Sequence, residues 1–146
     1  MEFKWAEFWV QIHNISLICM TKNIGLHLGS HIGMIKDIDV CASGDCLGKF
    51  LRIRVVIDVS KPLKRVLRVK LDGMTEEKTL LLKYERLPKY CFSCGLIGHS
   101  YRECTLIEDV HIPKKGEHFT FGVWMRASSP IKARLLTILV VLHHLQ

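Results

Sequence analysis

The stretch Lys49–Val59, KFLRIRVVIDV, decides which fold we expect for this chain. Its odd-numbered positions from 51 to 59 are all apolar, whereas its even-numbered positions include two arginines and an aspartate. Alternation with a period of two is typical of a β-strand that buries one face and exposes the other. We therefore predict a strand here, with Arg52 and Arg54 on its polar face.

The flanking sequence extends this pattern to a whole sheet. The segments FWVQIHNI, MIKDIDV, RVLRVKL and TLLLKYERL all have strand-like patterns or composition. TKNIGLHLG predicts one short helix, with Thr21 as N-cap and Gly29 as C-terminal stop. The sequence thus predicts a small α+β domain, in which an antiparallel sheet has one buried face, covered by the helix, and one basic face. The predicted basic face comprises Arg52, Arg54, Arg68 and Lys70.

Length and charge limit the classes of partner. The chain has 146 residues, of which 49% are hydrophobic and 24% charged, so it is long enough for one domain plus a small module. Its formal net charge is +7. The segment Lys49–Lys89 contains twelve Lys or Arg against five Asp or Glu and carries this whole excess. The charge favours a polyanionic partner such as nucleic acid, although it also serves solubility.

The ends of the sequence predict the cellular compartment. The start, MEFKWAEFWV, has no basic region before an apolar run, so we expect no signal peptide. The longest apolar run, LLTILVVL at Leu135–Leu142, is too short to cross a bilayer. We therefore expect an intracellular protein, in the nucleus or cytoplasm, with no membrane partner. In that setting clustered cysteines bind metal more often than they form disulfides.

The segment Tyr90–Cys104, YCFSCGLIGHSYREC, contains three of the six cysteines in the spacing C-x2-C-x4-H-x4-C. Three thiolates and one imidazole complete the tetrahedral ligand set of a structural Zn²⁺. Gly95 and Gly98 fit this interpretation, because a short loop folded around one ion needs turns with positive φ. We predict one structural zinc ion. Its predicted ligands are Cys91, Cys94, His99 and Cys104.

A redox site is the alternative interpretation of CFSC. A redox-active Cys-x-x-Cys pair requires a helix that begins at the first cysteine and lowers its pKa. Gly95 and Gly98 oppose a helix at this position, and a redox site gives no role to His99 and Cys104. The metal site is therefore the preferred interpretation.

The cluster with its two glycines resembles the CCHC zinc knuckle of retroviral nucleocapsid proteins and retrotransposon products. The segments FWVQIHNISL, GKFLRIRVVIDVSKPLKR, KYERLPKYCFSCGLIGHSYREC and FGVWMRA are similar to a plant family of retrotransposon-derived proteins. In that family an RRM-like domain of unknown function precedes the knuckle. The resemblance runs from Phe8 to Ala127. It implies a truncated RRM-like α+β domain over residues 6–87, a zinc knuckle over 88–106 and an irregular tail over 107–146.

The resemblance also implies binding of single-stranded RNA or DNA, by base stacking and by contacts to phosphate. Phe92 matches the stacking position after the first cysteine. Ser100 departs from the apolar residue that usually follows the histidine, and Tyr101 is the candidate replacement. The flanking Lys89 and Arg102 would offset the net negative charge of a zinc ion with three thiolates. The predicted phosphate contacts are Lys89, Arg102, Arg52, Arg54, Arg68 and Lys70.

Two other functions stay open. A zinc-stabilised protein-interaction adapter would use Leu96, Ile97 and the apolar C-terminal segment. A nuclease would need metal-binding carboxylates, for which Asp37, Asp39 and Asp58 are the candidates, but no catalytic histidine or nucleophile motif accompanies them. We therefore predict a protein that is not an enzyme and takes no small-molecule substrate, with single-stranded nucleic acid as its partner and a protein partner as the alternative.

Overall fold

The computed structural model describes residues 4–16, 19–39, 50–70, 75–105 and 120–128. Within these ranges, one α-helix and six strands form the fold. They are β1 (Trp5–His13), α1 (Lys22–Ser30), β2 (Met34–Asp39), β3 (Phe50–Asp58), β4 (Val66–Val69), β5 (Lys78–Glu85) and β6 (Arg126–Ala127). The strands form one sheet in the order β2-β3-β1-β5-β4, and β6 pairs with β5. In the described ranges, no helix is long and apolar enough to cross a membrane.

The predicted strands and the predicted helix are confirmed, but the sheet is mixed rather than wholly antiparallel. β1 lies at its centre, where Val10 faces Ile53 of β3 and Ile12 faces Leu82 of β5, both in antiparallel register. β6 runs parallel to β5. Parallel pairing requires a long connection, and the segment between these two strands, which includes the cysteine cluster, supplies it. No sequence pattern indicated this return of the chain to β5.

The hydrophobic core lies on the face that the alternation predicts. In β3, positions 51, 53, 55 and 57 are buried, and the intervening positions are half-buried. β1 contributes Phe8, Val10 and Ile12, and β5 contributes Leu80, Leu82 and Tyr84. The period-two pattern of Lys49–Val59 therefore assigns both faces of β3 correctly.

Helix α1 packs against β2 and β3. The predicted N-cap is confirmed, since the Thr21 Oγ1 accepts a hydrogen bond of 3.3 Å from the Ile24 N–H. The prediction that Gly29 stops the helix is wrong, because α1 continues to Ser30. Gly29 is buried, and a Cβ at this position would lie 2.8 Å from the Cδ1 of Ile35. The missing side chain allows the helix to approach the sheet closely.

Candidate metal centre and its surroundings

The four predicted zinc ligands come together in the segment that directly follows β5. Their three Sγ atoms and one imidazole nitrogen all lie within 4.8 Å of one another. The Sγ of Cys94 and the Nε2 of His99 are 3.3 Å apart. Tetrahedral zinc with thiolate and imidazole ligands separates its ligand atoms by about 3.5–3.8 Å. The cluster therefore has the composition and nearly the dimensions of a structural zinc site.

The cluster is buried on one side and half-exposed on the other. Cys91 is fully buried and Cys104 is 8% exposed, whereas Cys94 and His99 are half-buried. Without a metal, burial, together with the neighbouring sulfurs of Cys91 and Cys104, raises the pKa of the Cys94 thiol to about 11. A bound divalent cation reverses this effect by stabilising thiolates. The donor set thus fits a soft divalent cation such as Zn²⁺.

A tight turn of backbone holds the first two ligands. The Gly95 N–H donates to the Cys91 carbonyl at 2.9 Å, and the Cys91 N–H donates to the Leu96 carbonyl at 2.9 Å. The Cys94 N–H lies 3.4 Å from the Cys91 Sγ and donates to it. Gly95 has a φ of +80°, a conformation that side chains with a Cβ rarely adopt. This position therefore explains one of the two glycines in the motif.

A second turn leads to the histidine. Tyr90 and Ile97 form an isolated antiparallel bridge. The Gly98 N–H donates to the Lys89 carbonyl at 2.8 Å, and Gly98 has a φ of +115°. This second glycine closes the loop immediately before His99.

A 3₁₀ turn over Tyr101–Glu103 brings the last ligand, Cys104, to the cluster. The Ser100 hydroxyl donates to the Glu103 carboxylate at 3.0 Å, and the Lys89 ammonium pairs with the same carboxylate. Lys89 therefore shares its charge with an acidic residue inside the loop. Both side chains of this pair are more than half exposed.

The aromatic residues of the loop lie beside one another. The Phe92 and Tyr101 rings are nearly parallel, with an interplanar angle of 19° and centroids 6.1 Å apart. The Tyr90 ring is tilted by 59° relative to the Phe92 ring, with centroids 5.2 Å apart. The Arg102 Nε donates to the Tyr101 hydroxyl at 3.2 Å. The sequence left the direction of Tyr101 open, and the structure places it next to Phe92.

The predicted basic face of the sheet carries both signs of charge. Arg52 binds the Glu85 carboxylate through two hydrogen bonds of 2.7 and 2.9 Å, and its Nη1 lies 3.4 Å from Asp39. Its guanidinium also stacks over Trp9, 4.0 Å from the ring centroid. Burial by itself would lower the pKa of Arg52, but the carboxylates of Glu85 and Asp39 outweigh it and raise that pKa. The Arg52 charge is therefore compensated within the protein.

The other predicted basic residues differ in their surroundings. The Arg54 Nε lies 3.5 Å from the Glu7 carboxylate. Arg68, on the edge strand β4, and Lys70 are exposed. The sequence missed the mixture of charges because the acidic partners come from β1, β2 and β5, and the order of these strands was unknown. The expectation of a basic face is thus corrected to a face of mixed charge.

The segment 120–128 packs against the loop, although the sequence predicted an irregular tail there. Phe121 and Met125 are buried, and the Phe121 N–H donates to the Phe92 carbonyl at 3.2 Å. The Tyr90 hydroxyl donates to the Gly122 carbonyl. The Arg126 guanidinium lies 5.0 Å from the centroid of the Tyr90 ring. Apart from the apolar composition of FGVWMRA, no sequence signal indicated this contact.

The residues of the adapter hypothesis have other surroundings. Leu96 and Ile97 are half-buried, and Ile97 packs against the hydrophobic core. The apolar segment 135–142 lies outside the described residues. Val123 and Trp124, which the adapter hypothesis did not include, are 66% and 49% exposed. They form an apolar surface on the 3₁₀ turn Val123–Met125.

The aspartates of the nuclease hypothesis do not form a metal site. Asp37 and Asp39 are exposed on β2, whereas Asp58 lies near the other end of the β2–β3 pairing. Asp58 accepts a 2.9 Å hydrogen bond from the Ser60 N–H. Within the described residues, one group of three or more metal-ligating side chains lies close enough together to hold an ion, and that group is the Cys/His cluster. The geometry therefore gives no support to two-metal catalysis by these aspartates.

Comparison with known proteins supports the assignment of the Cys/His cluster as a metal site. Residues 57–106 match the zinc knuckle family model, a range that begins in β3 and includes both β4 and β5. A segment of 107 residues, 72% of the chain, is 27% identical to an uncharacterized protein of Arabidopsis thaliana and covers 34% of its length. No solved structure matches the chain significantly. A CCHC zinc knuckle, with a Cys/His cluster suited to a metal, is therefore present in this chain, while the RRM-like domain and the retrotransposon origin stay predictions.

Proposed function

We propose that this protein binds single-stranded nucleic acid through a knuckle that one structural Zn²⁺ holds together. The observation that carries the proposal is the position of Phe92 and Tyr101, two nearly parallel rings beside a complete zinc ligand set. A bound Zn²⁺ would connect the two backbone turns and the 3₁₀ turn, because each of them supplies a ligand to the same ion. The protein would act inside the cell by binding alone, without catalysis.

Base stacking is the first part of the proposed interface. Phe92 and Tyr101 are both half-buried, so part of each residue meets solvent. Each base stacked on an aromatic side chain contributes about 1–3 kcal/mol, and this tolerates any base because every base has a π-face. Arg102 lies with its guanidinium 5.6 Å from the Tyr101 ring centroid. A strand stacked on these rings would therefore have a cation close to its phosphates.

Phosphate contacts are the second part. The proposed contacts are Lys89, Arg102, Arg52, Arg54, Arg68 and Lys70. They are not equal, because Arg52 is compensated by Glu85 and Asp39 and should contribute least. Each phosphate of a single strand that the protein contacts adds about −0.7 to the slope of log affinity against log salt concentration. Binding should therefore weaken steeply as salt rises.

A titration of a fluorescent single-stranded oligonucleotide tests this function. We would compare the zinc-loaded protein with the chelator-treated protein, each at a low and a higher salt concentration. Phe92→Ala and Tyr101→Ala should each weaken binding about 5- to 150-fold, the equivalent of one lost stacking contact. No binding by the zinc-loaded protein at low salt would reject the proposal.

Phe50→Ala is the matched control for stacking. Phe50 is also a half-buried aromatic residue, but it lies on the sheet, where its ring contacts His13. We expect its replacement to leave affinity unchanged. If Phe50→Ala weakens binding as much as Phe92→Ala, then the bases stack on the sheet and not on the knuckle.

A protein-interaction adapter is the second candidate function, and the exposed Val123 and Trp124 favour it. An apolar contact of this kind responds little to salt, unlike phosphate contacts. Trp124→Ala would then abolish partner binding without changing oligonucleotide affinity. Loss of oligonucleotide binding in Trp124→Ala would instead assign this surface to the nucleic-acid interface.

A further inference from the structure

A cleft of about 420 Å³ lies between helix α1 and the edge strand β4. We propose that this cleft binds the phosphodiester backbone of the strand whose bases stack on the knuckle. The inference rests on the proposed function and extends it from the knuckle to a second surface. It identifies the ligand as a chain of phosphodiester groups, recognised without regard to base.

The strand edge supplies hydrogen-bond donors. β4 is the last strand of the sheet and pairs with β5 on one side. The Leu82 N–H donates to the Arg65 carbonyl at 3.0 Å, so Arg65 and Leu82 form a hydrogen-bonded pair of the antiparallel ladder. Because hydrogen-bonded and non-bonded pairs alternate, the N–H groups of Val66 and Arg68 point away from β5. Backbone N–H groups are common donors to phosphate oxygens.

The side chains of the cleft add positive charge. Lys64, Arg68 and Lys70 line it and are exposed. Within the described parts of the chain, none of these three has an ion pair, and no Asp or Glu lines the cleft. His27 and His31 of α1 also line it, with ring centroids 5.2 Å apart, and add imidazole nitrogens. The cleft thus combines cations and donors with no described acidic group.

The hollow on the outer face of the sheet provides the contrast. It measures about 350 Å³ and contains Arg52 and Arg54. Glu7 and Glu85 line the same hollow, so its arginines already have anionic partners. An incoming phosphate would compete with these carboxylates there, whereas in the β4 cleft it would meet uncompensated cations. Of the two surfaces, the β4 cleft is therefore the better phosphate site.

An extended peptide that adds a strand to β4 is the competing occupant. Strand addition needs a long edge, and proteins block it with short edge strands and with Lys or Arg side chains. β4 has four residues, and basic residues flank and interrupt it. These features oppose strand addition and suit an anion.

The cleft is also physically joined to the knuckle. The Leu63 N–H, in the turn that leads into β4, donates to the Gly95 carbonyl at 2.9 Å. Gly95 lies between the second and third zinc ligands. The zinc knuckle family match over residues 57–106 includes both β4 and the ligand cluster. One nucleic-acid strand that passes from the knuckle to the cleft would therefore follow a continuous piece of this protein.

An abasic single-stranded oligonucleotide tests the cleft, since it offers phosphodiesters but nothing to stack. The full chain should bind it at low salt. The double variant Lys64→Gln/Arg68→Gln should bind it at least tenfold more weakly, and its slope of log affinity against log salt should be about 1.4 smaller, because two phosphate contacts are lost. In an NMR titration, the amides of Val66 and Arg68 should shift.

Lys22→Gln/Lys36→Gln is the matched control. It removes the same charge from two exposed lysines that do not line the cleft, so we expect less than a twofold change. Equal weakening in both double variants would overturn the proposal in favour of a general charge effect. Failure of the full chain to bind the abasic strand would also overturn the proposal. So would an NMR titration in which an acidic peptide shifts the β4 amide signals and the abasic strand does not.

The same experiment separates the cleft from the stacking function. Phe92→Ala should leave the affinity for the abasic strand unchanged, while it weakens binding of the normal oligonucleotide. If the normal strand binds no more tightly than the abasic one, then stacking fails and the cleft stands. If the normal strand binds by stacking alone and Lys64→Gln/Arg68→Gln has no effect, then the cleft fails and the knuckle stands. Urea unfolding of each variant confirms that it is folded.

Discussion

The sheet and the knuckle are stabilised by different means. The sheet buries a continuous apolar core, in which Val10, Ile12, Ile53 and Val55 have no exposed surface. In the knuckle, the buried positions after Pro88 are mainly an aromatic ring, two cysteines and a glycine, and the apolar residues of its turns are only half-buried. Side-chain burial can therefore account for the stability of the sheet, whereas the knuckle needs its ligand set.

Both hydrogen bonds and apolar packing join the two regions. The Leu63 N–H bonds to Gly95, and the buried Phe121 packs on the same glycine. Arg126 donates to the carbonyls of Leu87 and Pro88, where the chain leaves the sheet. Tyr90, Phe121 and Met125 also belong to the same buried core as the sheet, and Phe92 and Ile97 pack against it. Because Cys94 and His99 are only half-buried, we expect the ligand turns to lose their structure without metal while the sheet keeps its own.

Removal of zinc should have the largest effect, and it should be confined to the knuckle. Structural zinc contributes about 10–16 kcal/mol of apparent binding free energy in zinc-finger peptides near neutral pH. Chelation should therefore abolish the dispersed NMR signals of residues 90–104 and leave those of β1, β3 and β5 in place. Loss of the sheet signals in the same step would show that the two regions fold as one.

Cys94→Ser is the genetic form of the same experiment, with Cys19→Ser as its control. Cys19 is a half-buried cysteine outside the cluster. Cys94→Ser should lose the bound zinc, measured as metal per protein after gel filtration, whereas Cys19→Ser should retain one equivalent. A full equivalent in Cys94→Ser would refute the ligand assignment.

The next largest effect should come from the core of the sheet. Leu82→Ala removes a side chain that is 2% exposed and should lower the free energy of unfolding by about 2–5 kcal/mol. Leu81, its neighbour in β5, is 46% exposed. Leu81→Ala should change that free energy by only about 0.5 kcal/mol. Urea unfolding measures both, and equal losses would mean that the sheet faces are assigned incorrectly.

Ion pairs should also contribute differently to the stability of the two regions. In the sheet, Arg52→Met would leave the 4%-exposed Glu85 carboxylate without its cation, at a cost of about 3 kcal/mol in unfolding free energy. In the knuckle, Lys89→Met should leave stability nearly unchanged, because Lys89 and Glu103 are both exposed to water. Urea unfolding compares the two variants, and a larger loss in Lys89→Met would contradict the division.

The sequence predicted those features that depend on local pattern. The alternation in Lys49–Val59 depends only on which residues face the core, and the spacing of the four ligands depends only on the geometry of one ion. Thr21 is an N-cap because its own hydroxyl reaches an N–H three residues later. Each of these needs no knowledge of the rest of the chain.

What the sequence could not predict depends on pairing between distant segments. The compensation of Arg52 requires β5 and β2 to flank the central strands, so that Glu85 and Asp39 meet it. Gly29 looked like a helix stop, but its role comes from Ile35 in the next strand. The return of residues 120–128 to the knuckle follows the same rule. Strand order and close packing are properties of the whole fold, which short patterns do not report.

The two glycines of the knuckle give the finest test of how it is held. Gly95 and Gly98 both have positive φ, so alanine at either site incurs backbone strain, which we expect to cost about 1 kcal/mol. Only at Gly95 would the new Cβ also meet the Phe121 ring, at 2.5 Å. At Gly98 no atom lies within 4 Å of that Cβ. Gly95→Ala should therefore destabilise the knuckle by about 1–3 kcal/mol and exceed Gly98→Ala.

Zinc affinity, measured by competition with a chelator, reports this difference because it includes the free energy of folding the loop. Phe121→Ala should remove the clash, so Gly95→Ala should cost less in the Phe121→Ala background than in the native chain. Gly98→Ala should cost the same in both backgrounds, because it lies away from the ring. If Gly95→Ala costs the same with and without the Phe121 ring, then segment 120–128 does not hold the knuckle, and the ligand set alone determines its shape.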